Sequence, residues 1–357
     1  MVDQRIDGIA WTDETWNPIR GCESVSEECR FCYAAELAAR FSGEGLPFAG
    51  LARRSAKRGL PQWTGKTMFI PERLGLPLKW KRPRRIFVTS VSDLFHESFS
   101  NEQIAAVFGV MDAARQHTFQ LLTKRPERAL EWFRWVGLTG KHALDRIACF
   151  ADDYLEGTMP RALRAAAFAA GRGAKTWPLP NVHLLVSAGT QASAELFIPL
   201  LLEIPVAVRG VSCEPLLKPV NLRSVVVAQE GTKTWSLNVL RGWSVGTTRH
   251  RIDWVIVGGE SGPRARQFDL RWARDIVAQC RMAGVPVFVK QMGERPVDSC
   301  FRCVEKGHVH GYGEHGADPE WCPECGGDGT DWLKLRDKKG GDTSEWPEDL
   351  RVREFPR

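Results

Sequence analysis

Residues 85–123, RIFVTSVSDLFHESFSNEQIAAVFGVMDAARQHTFQLLT, predict a strand, a helix and a second strand in succession. Both ends of this stretch, at 85–90 and 118–123, are short apolar runs of the kind that form buried strands. Between them, over 101–117, apolar residues recur at the three- and four-residue intervals of an α-helix, and Ser100 is a suitable N-cap. A strand, a crossover helix and a parallel strand form the repeating unit of an α/β sheet.

The same alternation continues along the rest of the chain. Further strands are predicted near 14–20 and at the runs VHLLVS (182–187), VAVRGVSC (206–213), WVIVGG (254–259) and VPVFVK (285–290). Segment 270–284 has the helical period, and Gly284 is well placed to end that helix. About seven strands with helices between them predict an α/β fold whose parallel sheet curls into a partial or full (β/α) barrel. A doubly wound open sheet is the alternative, although no GxGxxG loop follows the first strand.

Composition sets limits on the class of protein. The chain has 357 residues, of which 43% are hydrophobic, so it can bury a sizeable core. No apolar run approaches the roughly 20 residues of a membrane helix, and the N-terminus lacks the pattern of a signal peptide. We therefore expect a cytoplasmic protein without a membrane partner. Seven of the ten cysteines have metal-ligand spacing, which suits a reducing compartment, and Cys149, Cys213 and Cys280 are predicted to be buried.

The N-terminal cysteines Cys22, Cys29 and Cys32 are spaced Cys-x6-Cys-x2-Cys, and no other cysteine follows for more than a hundred residues. Thiolates are soft ligands that select zinc or iron–sulfur clusters. A closed structural zinc site takes four protein ligands, so three thiolates leave one metal position open. This indicates a cluster with one iron free for a substrate or cofactor. The alternative is a structural zinc with a distant fourth ligand such as a histidine.

The residue before the last of these cysteines is Phe31, and the residue after it is Tyr33. The Cys-x-aromatic-Cys ending resembles the loop of the radical S-adenosylmethionine (SAM) enzymes, in which the first gap is usually three residues and not six. Longer motifs extend the resemblance over most of the chain. These are TWNP before the cysteines, VTSVSDLFHE (88–97), QLLTKRP (120–126), VSCEPLL (211–217), WVIVGGESGP (254–263), VFVKQMG (287–293) and EDLRVREFP (348–356). Together they resemble an uncharacterised, phage-associated family of radical-SAM-like proteins.

This resemblance implies a set of cofactors. Cys22, Cys29 and Cys32 would each bind one iron of a 4Fe-4S cluster, and the amino and carboxylate groups of SAM would bind the fourth. In radical SAM enzymes the reduced cluster cleaves SAM to a radical that abstracts hydrogen from a substrate. An electron donor such as flavodoxin or ferredoxin is implied as a partner. Phe31 and Tyr33 are the aromatic residues expected near the bound cofactor.

Polar residues follow the predicted strands at their carboxyl ends, where parallel α/β folds place their sites. Radical SAM enzymes commonly carry a Gly-Gly-Glu-type motif after the second strand, and this chain has Ser90, Ser92 and Asp93 there. Their oxygens could accept hydrogen bonds from the SAM amino group, or Ser92 or Asp93 could merely cap the next helix. Glu214 and Glu260, which follow later strands, are further candidates for cofactor binding.

Other polar residues at strand ends are less informative. Lys124, Arg125, Lys290 and Gln291 are expected to point toward the barrel mouth, where charged residues usually form salt bridges. His96 could act as an acid, a base or a ligand, although a lone loop histidine is more often structural. The fourth predicted strand ends in SAGTQ, which lacks the acid or amide that the resemblance leads us to expect. The sequence assigns no residue a catalytic role.

A second set of four cysteines lies near the C-terminus. Cys300 and Cys303 form one Cys-x2-Cys pair, Cys322 and Cys325 form another, and 18 residues separate the pairs. This spacing is typical of a zinc site in which two short knuckles each supply two thiolates. The metal would fold a segment that is too small and polar to hold a core by itself. A second iron–sulfur cluster is the alternative.

The chain is therefore expected to divide into three parts. Residues 1–294 are predicted to form the radical-SAM-like barrel, with a helical insertion at about 139–178 that is a lid or a decoration. Residues 295–330 are predicted to form a zinc-ribbon insertion. Residues 331–357 are predicted to be a C-terminal segment that packs on the barrel.

The net charge of +6 is weakly basic, with basic clusters at 52–59 and 79–85. These clusters are either solvated loops or a surface for nucleic acid or nucleotides. We expect an enzyme that cleaves SAM reductively to modify an unidentified substrate, with a nucleobase in phage or host nucleic acid as the leading candidate. A non-enzymatic, metal-stabilised nucleic-acid-binding protein is the alternative. A third reading is an enzyme that uses the cluster and SAM for a reaction other than hydrogen abstraction.

Overall fold

A computed structural model describes residues 9–55, 59–137, 142–171, 176–246, 248–299 and 330–356. At the centre of these residues is one sheet of seven parallel strands. The strands, β1 to β7 in chain order, are Glu14–Trp16, Arg85–Val88, Thr118–Thr123, Val182–Ser187, Val208–Cys213, Trp254–Gly258 and Val287–Gln291. Most of them are the apolar, β-branched runs expected of parallel strands that are covered on both faces.

The strands lie in the sheet in the same order as in the sequence, and each pairs in parallel with the next. A doubly wound sheet would reverse its strand order at a switch point, and this sheet has no such reversal over the described ranges. Within the same ranges, β1 and β7 do not pair with each other, so the sheet is a half-barrel. The predicted α/β fold with a partial barrel is confirmed.

Helices cover the outer face of the half-barrel. The α-helices of the described residues, α1 to α9 in chain order, are Tyr33–Arg40, Pro71–Leu74, Leu76–Lys79, Asn101–Ala113, Pro126–Gly137, Ala143–Leu155, Arg161–Gly171, Gln191–Glu203 and Leu270–Ala283. As predicted, α4 begins after Ser100, which forms a capping box with Gln103. Helix α9 ends at Gly284, as predicted, because this glycine adopts the left-handed conformation with φ 65°.

The two faces of the sheet are buried by different partners. Side chains that face the helices form the main core, for example Val88, Leu121, Val186, Val211, Val257 and Val289. A smaller apolar cluster on the concave face, toward the amino ends of the strands, is formed by Trp11, Phe87, Leu185, Val208, Trp254, Ile256 and Phe288. This bottom cluster closes the amino end, so the concave face opens at the carboxyl ends of the strands. We call this opening the mouth.

The helical insertion decorates the outer layer and does not form a lid over the mouth. Helices α6 and α7 pack against α4, which itself packs on the outer face of the sheet. Gly109 of α4 approaches α6 so closely that a Cβ atom there would lie 2.2 Å from the carbonyl oxygen of Ile147. Residues 139–141 and 172–175 of the predicted insertion lie outside the described residues.

Three cysteines were expected to be buried small residues. Cys213 at the end of β5 and Cys280 in α9 are buried, as predicted. Cys149 in α6 is exposed, so the prediction for this residue is wrong. The buried face of α6 includes Ile147 and Ala151, and Cys149 lies on another side of the same amphipathic helix.

Small strand pairs and 3-10 helices complete the described fold. The pairs are Ile19–Arg20 with Met68–Phe69, Ala52–Arg54 with Pro61–Trp63, Val225–Glu230 with Lys233–Leu237, and Trp243–Val245 with Thr248–His250. The 3-10 helices are Glu27–Cys29, Thr343–Glu345 and Glu348–Leu350. Over the described ranges, none of the helices has the length and apolar character needed to span a membrane.

The segment predicted to be a zinc ribbon starts and ends at one strand pair. Strand Pro296–Ser299 runs antiparallel to Thr330–Trp332, with Ser299 opposite Thr330, and parallel to Phe268–Asp269. This small sheet is attached on the mouth side, because Pro296 follows the carboxyl end of β7 by five residues. The four cysteines Cys300, Cys303, Cys322 and Cys325 lie outside the described residues, so their zinc site stays a prediction.

The C-terminal segment runs along the edge strand β7. The backbone N–H of Val289 donates to the carbonyl oxygen of Val352 at 2.8 Å, and that of Glu354 donates to Val287 at 3.0 Å. Trp254 Nε1 of the bottom cluster donates to the carbonyl oxygen of Glu354 at 2.9 Å. These hydrogen bonds fix the segment to the sheet and to the bottom cluster together.

Candidate functional site

The cysteine loop, residues 17–32, connects β1 to α1 at the mouth. It is fixed to the segment that follows β2, because Ser92 Oγ donates to the carbonyl oxygen of Gly21 at 2.5 Å and the two residues form a parallel bridge. Gly21 has φ 86°, and a Cβ atom there would lie 2.2 Å from the carbonyl oxygen of Lys66. Glycine is therefore required at this position, and the chain reaches Cys22 from a fixed point.

Ser90 holds the loop near both of its ends. Asn17 Nδ2 donates to Ser90 Oγ at 3.1 Å, and Tyr33 Oη donates to the carbonyl oxygen of Ser90 at 2.7 Å. The preceding Thr89 is buried and has φ 62°, a costly conformation for a β-branched residue and one that clusters at functional sites. Three predicted cofactor residues, Tyr33, Ser90 and Ser92, are thus brought together around the loop, and their contact with a cofactor stays a prediction.

Asp93 joins the ends of β2 and β3. It is buried, and it accepts hydrogen bonds from Thr123 Oγ1 at 2.8 Å, from the backbone N–H of Lys124 at 3.0 Å and from Arg125 Nη1 at 3.5 Å. The N-cap of the next helix is Ser100, so Asp93 does not cap that helix. Its carboxylate instead sets the positions of Lys124 and Arg125 at the mouth.

Two cations lie against the sulfurs of the loop. Arg125 Nη1 is 3.9 Å from Cys22 Sγ. Burial lowers the pKa of the Lys124 amine, but the neighbouring thiols of Cys29 and Cys32 more than offset that effect and raise this pKa above its usual value. Arg125 thus lies beside Cys22, and Lys124 interacts electrostatically with Cys29 and Cys32. This agrees with the expectation that Lys124 and Arg125 point toward the mouth.

The thiols of the loop differ in how readily they lose a proton. Burial raises the pKa of the Cys22 thiol to about 12, and the Asp93 carboxylate acts in the same direction. Burial also acts to raise the pKa of Cys29, but Lys124 and hydrogen bonds from Ser26 hold it below its usual value. Ser26 Oγ lies 3.6 Å from Cys29 Sγ. Cys29 is thus closer than Cys22 to the thiolate form that binds metals.

Among the residues that the structure describes, no group of three or more His, Cys, Asp or Glu side chains is arranged so that it could hold a metal ion. Cys22 and Cys29 each have a polar contact of their own, with Arg125 and Ser26. The donor chemistry nevertheless fits a cluster, because three soft thiols beside two cations suit a metal centre with negatively charged ligands. The convergence of the three sulfurs on one centre stays a prediction.

Glu28 anchors the far side of the loop and is a residue that the sequence analysis missed. It is buried, and its Oε1 accepts a hydrogen bond from the backbone N–H of Gly189 at 3.1 Å, just before Thr190 caps α8. A Cβ atom on Gly189 would lie 2.2 Å from the carbonyl oxygen of Pro215. The resemblance leads us to expect an acidic or amide residue in the SAGTQ segment, and the carboxylate of Glu28 from the cysteine loop lies there instead. An acid next to a metal-spaced cysteine is the signal that could have identified Glu28.

Glu260 acts on the loop through Arg266, which the sequence analysis also missed. Arg266 Nη2 and Nε donate to the two carboxylate oxygens of Glu260 at 2.7 and 2.9 Å. Arg266 Nη1 donates to the carbonyl oxygen of Glu27 at 3.1 Å, and the guanidinium lies 5.4 Å from the centre of the Phe31 ring. Both oxygens of Glu260 are thus used to hold an arginine that contacts the loop. Cofactor contact by Glu260 and Phe31 stays a prediction.

The opposite side of the mouth carries an ion pair between Glu214, after β5, and Lys290, in β7. A salt bridge is the expected use of such residues, and it is confirmed for this pair. The Tyr33 side chain is about half exposed, but burial of its hydroxyl oxygen, and then the charges of Cys32 and Glu214, raise the pKa of Tyr33 above its usual value. His96 is buried, with Nδ1 2.9 Å from the hydroxyl oxygen of Ser98, so a structural role accounts for that nitrogen.

The sequence matches a family of proteins described as of unknown function, DUF5131, over residues 7–336. The chain belongs to this family. Searches of curated proteins and of solved structures found no significant match. The DUF5131 region contains the whole site, from the cysteine loop to Lys290. Because the family description names no activity, function has to be argued from the site itself.

The two basic clusters of this DUF5131 protein lie at opposite ends of the half-barrel. Arg54 is in a hairpin that packs on α1 beside the cysteine loop, and it pairs with Glu36 at 2.6 Å. Arg85 begins β2 at the amino end and pairs with Asp13 at 2.8 Å. Lys57 and Arg58 lie outside the described residues. The second cluster therefore lies at the end of the half-barrel opposite the cysteine loop, because it precedes a strand and the loop follows one.

Proposed function

We propose that this protein is a radical-SAM-like iron–sulfur enzyme that reductively cleaves SAM to modify a substrate. The observation that carries the proposal is the position of the three-cysteine loop. The loop lies at the carboxyl-end mouth of a parallel half-barrel, where α/β folds build their sites, Arg125 lies 3.9 Å from Cys22 Sγ, and Lys124 interacts electrostatically with Cys29 and Cys32. A structural zinc site would favour a fourth protein ligand, and the loop offers three thiols.

The roles of the chain follow from the chemistry of these side chains. Cys22, Cys29 and Cys32 would hold a 4Fe-4S cluster, which when bound supplies the electron that cleaves SAM. Lys124 and Arg125 would offset the negative charge of the thiolates and so favour metal loading over proton binding. Asp93 keeps both cations in place, and it would act as a positioning residue.

The amino-acid part of SAM carries one ammonium and one carboxylate. Glu214 and Lys290 offer one charge of each sign at the mouth, and both side chains are partly exposed. A zwitterion could therefore exchange partners with this pair through charge-assisted hydrogen bonds. Phe31 and Tyr33 add aromatic surface beside the last cysteine, with Tyr33 about half exposed. We assign no proton transfer to any residue.

Two further partners belong to the proposal. Flavodoxin or ferredoxin would deliver the electron.

The spacing of Cys300, Cys303, Cys322 and Cys325 supports a structural zinc, and the pairing of Ser299 with Thr330 brings the two ends of that segment together. A zinc assay on Cys322→Ser should find the zinc lost and the iron retained. Loss of both metals together would mean that the two cysteine sets form one site.

Anaerobic reconstitution tests the proposed activity. The wild-type protein should take up about four irons per chain and form 5′-deoxyadenosine from SAM with a chemical reductant. Cys29→Ala should lose both properties, whereas Cys149→Ala, a change at an exposed cysteine in the outer layer, should keep both. A fully iron-loaded protein that forms no 5′-deoxyadenosine would contradict the proposal. Zinc in place of iron at the loop would favour a non-enzymatic, metal-stabilised nucleic-acid-binding protein.

A further inference from the structure

Two polar side chains lie on the concave face, below the mouth. Gln120 in β3 and His183 in β4 are register partners on adjacent strands. Their neighbours in the sequence pack in the main core with the helices: Phe119, Leu121, Val182 and Leu184. Because successive side chains of a strand alternate between its two faces, Gln120 and His183 point into the half-barrel.

Each of these side chains has a polar atom without a partner. Gln120 Oε1 and His183 Nδ1 are buried and form no hydrogen bond, and Gln120 as a whole is only 1% exposed. Trp11 Nε1 in the bottom cluster is also buried without a partner. Buried polar atoms in native proteins are nearly always paired, since leaving one unpaired is costly. Three of them toward one concave face indicate a place where a hydrogen-bonding group binds.

The surroundings of this pair are apolar and uncharged. Phe87 of β2 is the register partner of Gln120 on its other side, and the Phe87 and Trp11 rings lie 4.6 Å apart. Burial lowers the pKa of His183 to about 4, so its imidazole is neutral at neutral pH. Along β3 the first charged residue after Gln120 is Lys124, at the mouth. A charged group would find no counter-charge at the depth of Gln120, and its burial there would be unfavourable.

Some residues on the concave side of these strands are less buried than their neighbours on the helix side. Leu122, Lys124 and His183 remain partly exposed, although the neighbouring residues on the helix side of the same strands are buried. Along the strand, Leu122 and Lys124 lie between Gln120 and the mouth, so a ligand that enters there would meet Lys124 before Gln120.

We propose that Gln120 and His183 form a recognition site for the uncharged base of a nucleotide substrate. A carboxamide offers both an acceptor and donors, and it can pair with the edge of a base. A neutral imidazole adds one donor and one acceptor, and aromatic rings such as those of Trp11 and Phe87 favour planar ligands. The phosphates would stay at the mouth near Lys124. Modification of the bound base would depend on the proposed SAM cleavage. Binding of the base would not, because it needs no iron–sulfur cluster.

Calorimetric titration with the four 2′-deoxynucleosides tests the site. SAM is kept at a saturating concentration throughout, so that any adenosine site for SAM is filled in every arm. The wild-type protein should bind at least one nucleoside, and Gln120→Leu and His183→Phe should each bind it about tenfold more weakly. Gln116→Leu is the matched control, because Gln116 is exposed before β3 and bonds to the carbonyl oxygen of Trp80. It should bind as the wild type does.

A second measurement separates recognition from a role in folding. Gln120→Leu removes an unpaired buried acceptor, so it should raise the thermal midpoint of the ligand-free protein by about 2 °C. A residue needed only for folding would lower it. Nucleoside binding that survives in Gln120→Leu, or a folded wild type that binds none of the four at millimolar concentration, overturns the inference and leaves water as the occupant. Base binding without 5′-deoxyadenosine formation would sink the proposed function and keep this site.

Discussion

The two ends of the half-barrel differ in where their charged residues lie. At the amino end, Arg85 pairs with Asp13 at the surface and lies over the ring of Phe355, which packs against the apolar bottom cluster. At the mouth, Asp93, Arg125 and Glu28 are buried, and each joins one loop to another. Buried charge is a costly way to stabilise a fold, whereas it holds a group in one place well. The comparison indicates that the residues at the amino end mainly stabilise the fold, whereas the buried charges at the mouth mainly hold its loops in place.

Removal of Asp93 should produce the largest effect. Asp93→Ala would remove the buried carboxylate partner of Arg125 and leave only the largely exposed Glu97 to pair with it, and breaking a buried pair costs up to about 3–5 kcal/mol. We expect urea titration to find the free energy of unfolding lower by this amount, and we expect iron uptake to be lost. Asp93→Asn keeps the shape and one acceptor, so it should lose less. A loss below about 1 kcal/mol for Asp93→Ala would mean that the mouth is held no differently from the amino end.

Gly189→Ala should have the next largest effect. The added Cβ atom would lie 2.2 Å from the carbonyl oxygen of Pro215 and 3.0 Å from Cγ of Glu28. Overpacking of this kind costs about 1–3 kcal/mol, and it should displace the anchor of the cysteine loop. Iron uptake should therefore fall together with the free energy of unfolding. Gly137→Ala, at the open end of α5, is the control and should change neither by more than about 0.5 kcal/mol.

Acidification should weaken the fold partly through His183. Its pKa is about 4 in the folded protein and 6.5 in the unfolded chain, so the unfolded state takes up the proton first as the pH falls. The contribution of the neutral imidazole to the free energy of unfolding is therefore fully present above pH 6.5, and it is lost as the pH falls toward 4. Because His183 is partly exposed, we expect its share to be about 2 kcal/mol or less. Urea titrations at pH 7, 5.5 and 4 should give a smaller pH dependence in His183→Gln, and an unchanged one would contradict this account.

The smallest effect is expected at the amino end. Asp13→Asn removes the charge that pairs with Arg85 while it keeps the side-chain shape. Both side chains are more than a third exposed, so the free energy of unfolding should change by less than about 1 kcal/mol, and by less still in high salt. The same urea titration compares this variant with Asp93→Asn. Equal losses in the two variants would remove the distinction between the two ends.

Much of the fold could be predicted because its signals are local. Most strands of the sheet are short apolar runs, and the capping residue Ser100 and the left-handed Gly284 lie next to the helices that they delimit. The position of the cysteine loop at the mouth also follows locally, since the loop comes directly after a strand. Burial of a single side chain on an amphipathic helix is less certain, as Cys149 demonstrates.

The anchors of the loop could not be predicted, because they join residues that are far apart in the sequence. Glu28 reaches Gly189 across 161 residues, and Arg266 reaches Glu27 across 239. Spacing and periodicity report on neighbours along one segment, whereas these contacts depend on the curvature of the whole sheet.

The strand pair at Pro296–Ser299 and Thr330–Trp332 makes the intervening segment an exchangeable module. Ser299 and Thr330 already face each other as neighbours in a ladder, so a two-residue Asn-Gly turn could join them directly. The chain could therefore gain, lose or replace everything between these two residues without interrupting the sheet or the cysteine loop. Such an attachment point would let one α/β scaffold acquire different accessory pieces beside the same opening.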